Sequence, residues 1–304
     1  NSKINLVNNN YATLLLGVTI LTSLDENDID EIGYKNDISS QVLKMATLCN
    51  ESGLDGVVCS AEEAKSIKLK FPKNFICVCP GIRKKDEPKK GLPHRYDLSR
   101  EHILNSCDSS LKRIGIDCVD LYQLHRPDYL MEPEEIASAF EKLKQSGKAR
   151  EFGVSNFTVD QLSTLQATCP MKLHCNQIEI SLIHRNALED GSLNHYNRNT
   201  ITPLAWSPLA QGKLGSEYPV RLQKPNHTQE QAIRDVLNQI AKEKKCSRTN
   251  VALAWLLRHP ANIIPIIGST NPEHIQDAVK ATDLLLTRED WYLLTTAAAT
   301  EPLP

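Results

Sequence analysis

The chain has 304 residues and a mass of 34.0 kDa, long for one core and short for two, and it can bury roughly 75% of its unfolded surface without help from disulfides or metal. Hydrophobic residues at 40% and charged residues at 24% describe an ordinary globule and exclude a disordered or fibrous chain. With 35 basic residues against 37 acidic ones the net charge is −2, which leaves no general field for nucleic acid or an anionic membrane as partner.

In chain order, the first β-rich run is 14–22. It overlaps the longest apolar stretch, 12–21, which is about half of what a bilayer span requires and is followed by no small-residue cleavage pattern. It reads as a buried strand of a cytoplasmic protein. A helix is expected over 39–51, where Val42, Met45, Ala46 and Cys49 follow the i, i+3, i+4, i+7 spacing of one face. Runs at 54–59 and 75–79 come next. A helix over 99–114 follows Asp97 as its expected cap, then a run at 118–124, and then a helix over 133–145 that opens on proline. Further runs fall at 149–154, 173–180, 200–206 and 263–267, which brings the strand count to eight.

Short β-rich runs alternating with helical stretches are the pattern of parallel strands joined by crossovers. Eight such units in this length fit an α/β, single-domain (β/α)8 TIM barrel. A doubly wound sheet fits less well, because no GxGxxG follows any run. Long loops are expected at 84–96, with Lys84, Lys85, Lys89 and Lys90 as a solvated charge run, and at 211–227. Nine cysteines, an odd number mostly within apolar runs, suit free thiols. Cys77 and Cys79 share a strand face, but two thiols make half a tetrahedral site, so no metal is expected.

A barrel places its chemistry at the carboxyl ends of its strands. These ends read Thr22 and Ser23; Cys59 and Ser60; Cys79 and Pro80; His125; Ser155 and Asn156; Gln177 and Glu179; Trp206 and Ser207; and Gly268, Ser269 and Thr270. His125 can donate a hydrogen bond to a carbonyl oxygen, though a histidine at a strand end equally suits a packed loop. Ser155, Asn156 and Gln177 carry the donors and acceptors that a carboxamide needs, and Trp206 offers a flat face. The plainer role for Ser155 and Asn156 is to cap the next helix. Gly268, Ser269, Thr270 and Asn271 precede a helix opening near Pro272, a place that favours phosphate.

Two resemblances add to this reading. The segments GIR (81–83), RYDLSREHILNSCDSSLKRIGIDCVDLYQLHRPD (95–128), SGKAREFGVSNF (146–157), CNQIEISL (175–182), ITPLAWSPLAQGKL (201–214) and WLLRHPANIIPIIGST (255–270) resemble an aldo-keto reductase. The segments LLLGVTILTSLDENDIDEIGY (14–34), SGLDGVVCSAEEAKSIK (52–68) and FICVCPGIR (75–83) resemble the second half of orotidine 5′-phosphate decarboxylase, also a (β/α)8 barrel. The expectation is therefore a chimera engineered from two fragments. Residues 1–83 would supply strands one to three and 84–304 strands four to eight, with the crossover at 81–83.

The reductase resemblance implies hydride transfer from a nicotinamide cofactor, NADP or NAD, to a carbonyl. In that family a tyrosine gives the proton, an aspartate and a lysine make it acidic, and a histidine orients the carbonyl. The histidine maps onto His125. The other three belong to strands that this chain has replaced, and Cys79 falls where the lysine would stand. The same resemblance assigns Ser155, Asn156 and Gln177 to the carboxamide and Trp206 to the ring. It assigns Ser207, Leu209 and Gly212 to the pyrophosphate and Gly268, Ser269, Thr270 and Asn271 to the adenosine phosphate, with His274 the nearest basic group. The decarboxylase resemblance leaves Thr22, Ser23 and Arg83 as possible contacts of a nucleotide or phosphate ligand. The principal expectation is a scaffold with a partial dinucleotide site and little or no turnover. One alternative is a working NAD(P)H-dependent aldo-keto oxidoreductase using His125 and a surrogate acid such as Tyr34, Tyr96 or Tyr129; the other is a phosphate or nucleotide binder.

Overall fold

Short runs rich in valine, isoleucine and leucine, each followed by an amphipathic stretch, can bury both faces only by alternating strand and helix. The computed structural model does this eight times, and it describes residues 16–20, 37–72, 74–79, 96–216, 228–269 and 271–299, without the side chains of Ala61 and Thr228. The first half runs β1 (Leu16–Val18), α1 (Ile38–Glu51), β2 (Gly56–Val58), α2 (Ala61–Lys70), β3 (Ile76–Val78), α3 (Arg100–Ile114), β4 (Val119–Leu124) and α4 (Pro133–Gln145). The second half runs β5 (Ala149–Ser155), α5 (Val159–Thr168), β6 (Leu173–Glu179), α6 (Asn186–Glu189), α7 (Ser192–Asn199), β7 (Thr202–Trp206), α8 (Thr228–Lys244), α9 (Arg248–Leu257), β8 (Ile264–Ile267), α10 (Pro272–Val279) and α11 (Arg288–Ala298).

Every strand pair is parallel, in the order β3-β2-β1-β8-β7-β6-β5-β4, the curled sheet of a (β/α)8 barrel. The sheet wraps from one sequence segment to the other through β1 and β8, where Leu16 pairs with Ile266 and Gly17 with Ile267. Among the described residues no ladder joins β3 to β4.

Local chemistry explains the helix ends. Asp37 caps α1 by accepting from the Ser40 amide at 2.9 Å, and the expected face of Val42, Met45, Ala46 and Cys49 is buried. Helix α3 begins one residue later than expected. Its cap is Ser99, which accepts from the His102 amide, while Asp97 accepts from the Ser99 amide at 3.0 Å and so orders the cap itself. Ser155 and Asn156 do not cap the helix after β5. That role falls to Thr158, in a reciprocal capping box with Gln161, because Ser155 is still within the strand.

Side chains alternate between two surfaces. Outside β4–β8, Phe140 stacks on Phe152 and Trp255 on Trp291 within the larger core. Outside β1–β3, Val42, Met45, Cys49, Val57 and Cys59 pack with Leu253, Ile267 and Ile275 from the far end of the chain, which fills the β8–β1 seam. The lumen holds Val58, Cys175, Leu204 and Ile266, with Val18, Val78 and Ile264 against them, so both sequence segments contribute to it. All nine cysteines are free thiols. No helix among the described residues is long and apolar enough to cross a membrane.

Candidate active site

The carboxyl rim of the barrel carries one connected polar chain across β4, β5, β6 and β7. At its centre is Asn156, whose backbone adopts the left-handed region at φ 60. Its amide N–H donates to Gln177 O at 2.9 Å and extends the β5–β6 ladder by one residue. The side-chain Nδ2 donates to Ser155 Oγ at 2.8 Å and, at 3.4 Å, to the carbonyl of His125 at the end of β4. Oδ1 accepts from Trp206 Nε1 at 3.1 Å, which fixes the indole by its edge. Ser155 Oγ in turn donates to Gln177 O at 2.8 Å. The Ser155 side chain is buried, Asn156, Gln177 and Trp206 are half-buried, and His125 is exposed.

Strand register decides which groups share this face. Ser155 pairs with Gln177, and Glu179 pairs with Trp206. Cys175, two residues before Gln177, lies in the lumen, so Gln177 and Glu179 follow it onto the same face. The floor beneath is closed by the Cys175 thiol donating to Gln123 Oε1 at 3.3 Å. Burial pushes that thiol up to about 12, so it stays neutral. Gly153 makes room for it: a Cβ there would stand 2.4 Å from Cys175 Sγ.

A nicotinamide fits this arrangement on the structure's own terms. The Gln177 side-chain amide has no hydrogen-bond partner among the described residues, so both its donor and its acceptor are available to a carboxamide. Asn156 Oδ1 retains a lone pair, and the indole held by its Nε1 keeps its face for an aromatic ring.

The turn after β7 is built from within. Ser207 takes φ 53 and Gly212 φ 86; the Ser207 hydroxyl accepts from the Gln211 amide, and Leu209 packs into the two outer cores. After β8, Gly268 is exposed. Ser269 Oγ lies 3.3 Å from His274 Nδ1, and Asn271 Nδ2 lies 3.4 Å from His274 Nε2. Asn271 also caps α10 by accepting from the Glu273 amide. His274 is thus tied to two of the four residues expected to meet a phosphate, Ser269 and Asn271.

Several expected residues fall elsewhere. Thr22, Ser23, Tyr34, Pro80, Arg83, the lysine run and Thr270 lie outside the described residues. Tyr129 is 95% exposed and Tyr96 is 44% exposed, and both line a cavity of about 590 Å³ with Asp97, Asp128, Glu132 and Glu135, beside the rim. Cys79 does not face the lumen. Val78 does, whereas Cys77 and Cys79 pack against the outer layer with Cys59. The end of β1 offers Thr19, whose hydroxyl donates to Val58 O at 3.0 Å. Missed in the sequence was the pairing of Glu179 with His184 at 3.4 Å, which only the fold of the loop after β6 brings about.

The model of the aldo/keto reductase family matches residues 78–299, and the chain belongs to this family. The model of the orotidine 5′-phosphate decarboxylase / HUMPS family matches residues 5–102, overlapping the first match across 78–102. A 6-dehydroglucose reductase of Novosphingobium aromaticivorans is 39% identical over 212 residues, covering 70% of this chain and 67% of its own. Oxidoreductase YdhF of Escherichia coli K12 is 37% identical over 254 residues, covering 82% of this chain and 81% of its own. Among solved structures, the glycerol dehydrogenase AKR11B4 from Gluconobacter oxydans superposes with a TM-score of 0.73 at 21% identity, covering 87% of this chain and 88% of the other, a likeness of fold.

These relatives overturn the expectation of a scaffold with little or no turnover. Identities of 37–39% over most of the chain, to proteins named as reductases and oxidoreductases, indicate a functional family member.

Proposed function

We propose that the protein is a nicotinamide-dependent carbonyl oxidoreductase in which His125 positions the substrate and a surrogate group supplies the proton. The observation that carries this reading is the chain His125–Asn156–Ser155–Gln177 with Trp206 pinned to its centre. A nicotinamide bound there, from NADP or NAD, supplies hydride. Gln177 and Asn156 would hold its carboxamide, and Trp206 would stack on the ring and exclude water from that face. The turn containing Ser207, Leu209 and Gly212 would hold the pyrophosphate, and Ser269, Asn271 and His274 would hold the adenosine end. His125 donates a hydrogen bond to the carbonyl oxygen as negative charge develops there.

The family's tyrosine, aspartate and lysine have no counterparts at the described ends of β1–β3, where Thr19, Cys59, Ser60 and Cys79 stand. Tyr96, which lies four residues before α3 and lines the cavity beside the rim, is the described tyrosine we assign as proton donor. We also infer that the chain is a recombinant of two barrels. The support is that two family models match adjoining segments and meet within 78–102.

Titration with NADPH and with NADH, followed by tryptophan fluorescence, tests binding. Saturable quenching that disappears in Trp206→Leu is expected, and its absence for both cofactors refutes the reading. Cofactor oxidation with a sugar aldehyde should fall roughly 100-fold or more in His125→Ala. An unchanged rate in Tyr96→Phe removes Tyr96 from its role without touching that of His125.

A further inference from the structure

We propose that Cys59 and Cys79 form a peroxide-sensitive dithiol that closes into an intramolecular disulfide across β2 and β3. Their sulfurs lie 3.9 Å apart. The β2–β3 register ends with Val58 opposite Val78, and the Cys59 amide donates to Val78 O at 2.9 Å, so Cys59 and Cys79 are the next facing pair. Neighbouring strands run about 4.8 Å apart, inside the Cα separation of roughly 4.4–6.8 Å that a disulfide accepts. Closing the bond brings the two sulfurs from 3.9 Å to about 2.0 Å, chiefly by side-chain rotation.

The surroundings set the order of events. Cys59 is 1% exposed, whereas Cys79 is half-buried and its thiol reaches Ser60 O at 3.7 Å. A small oxidant thus meets Cys79 before Cys59. Hydrogen bonding to the neighbouring thiols and then burial push the Cys59 thiol well up, so it holds its proton until a partner takes it. Cys77, paired by register with Val57, lies one step deeper on the same outer face; its thiol is lowered chiefly by the hydrogen bond from Cys59.

The chemistry balances with hydrogen peroxide as oxidant. Cys79 sulfur attacks one peroxide oxygen, the O–O bond breaks, and the departing hydroxide takes the thiol proton as water, leaving a sulfenic acid. Cys59 sulfur then attacks Cys79 sulfur, the S–O bond breaks, and the hydroxyl leaves with the Cys59 proton as a second water. Two thiols each lose one electron and one proton, and one peroxide is reduced to two waters. A thiol reductant reverses the bond by exchange.

Treating the full chain with dilute hydrogen peroxide under native conditions tests this, with intact mass and non-reducing peptide mapping as readouts. The expected result is loss of two hydrogens and a Cys59–Cys79 linked peptide, both reversed by dithiothreitol. In Cys59→Ser the sulfenic acid should persist on Cys79 and be trapped by dimedone, and in Cys79→Ser neither the linkage nor an adduct on Cys59 should form. Circular dichroism establishes that each variant is folded, and the wild-type mapping tests the proposal independently of them. A linkage of Cys59 to Cys77, or unmodified Cys59 and Cys79 after other cysteines have reacted, overturns it.

Discussion

Replacing Asn156 separates two contributions that the active-site chain combines. At φ 60 the backbone is one that asparagine tolerates and that costs alanine roughly 1–2 kcal/mol. The side chain makes two well-formed hydrogen bonds, to Ser155 and from Trp206, and each contributes about 0.5–1.5 kcal/mol net. Asn156→Ala therefore loses about 2–5 kcal/mol in total. Asn156→Gly loses the same bonds but not the strain, while glycine's greater unfolded-state freedom costs roughly 0.5–1 kcal/mol. Glycine should thus be the more stable variant by up to about 1.5 kcal/mol, an inversion of the usual order of the two residues. Urea unfolding followed by circular dichroism and by tryptophan fluorescence measures both. Alanine more stable than glycine, the usual order, would show that the left-handed backbone is not maintained in solution, and two variants within a few tenths of a kcal/mol of wild type would show that the bonds contribute nothing.

Two further outcomes follow from burial. Gly153→Ala drives a Cβ into Cys175 Sγ and should cost about 1–3 kcal/mol; Cys175→Ala in the same chain should restore part of this, the remaining contacts being residue 175 O at 3.1 Å and Gln123 Cγ at 3.3 Å, and a double-mutant cycle reads the coupling. His259 is lowered to about 4 by burial, and its Nδ1 accepts from the Ala261 amide. The unfolded chain takes up that proton near pH 6.5, so the stability from keeping the ring neutral is complete above that pH and is lost as pH falls towards 4. The ring is half-buried and still partly reached by solvent, so the loss stays below about 3 kcal/mol, and His259→Asn should flatten the pH dependence of urea midpoints over this window.

The strand runs were legible because each is bounded by polar residues and followed by a helical period, and all eight occur where the pattern places them, most of them shorter than the runs. Rim residues were legible for the same reason: a residue that ends a run in a barrel stands at its mouth. Facing was harder to read. Cys79 ends a run as His125 does, yet it turns outward, because β3 and β2 present Val78 and Val58 to the lumen. Helix caps depend on single residues, so Asp97 and Ser99, both good caps, could not be told apart before their hydrogen bonds were known. Residues paired by the path of one loop, such as Glu179 at the end of β6 with His184 in the loop after it, leave no signal in spacing at all.

The β2–β3 edge carries the most severe steric constraint in the described fold, and it offers a test of how the barrel is divided energetically. A Cβ on Gly56 would stand 2.2 Å from Ile76 O and 2.6 Å from Ile76 Cβ, and since the first contact is backbone, no rotamer relieves it. Among the described residues β3 has ladder bonds only with β2. Gly56→Ala must therefore push β3 outward, breaking the bonds from the Ile76 amide to Asp55 O and from the Cys59 amide to Val78 O, both 2.9 Å in the wild type. The strands β4–β8 are joined by their own ladders and backed by the larger core, so they need not follow. Hydrogen exchange should then show protection lost in β2 and β3 and kept in β5, β6 and β7, together with slower formation of the Cys59–Cys79 disulfide. Uniform loss of protection across all strands would instead mean that the barrel unfolds as one cooperative unit, with the seam between β1 and β8 as strong as the ladders on either side of it.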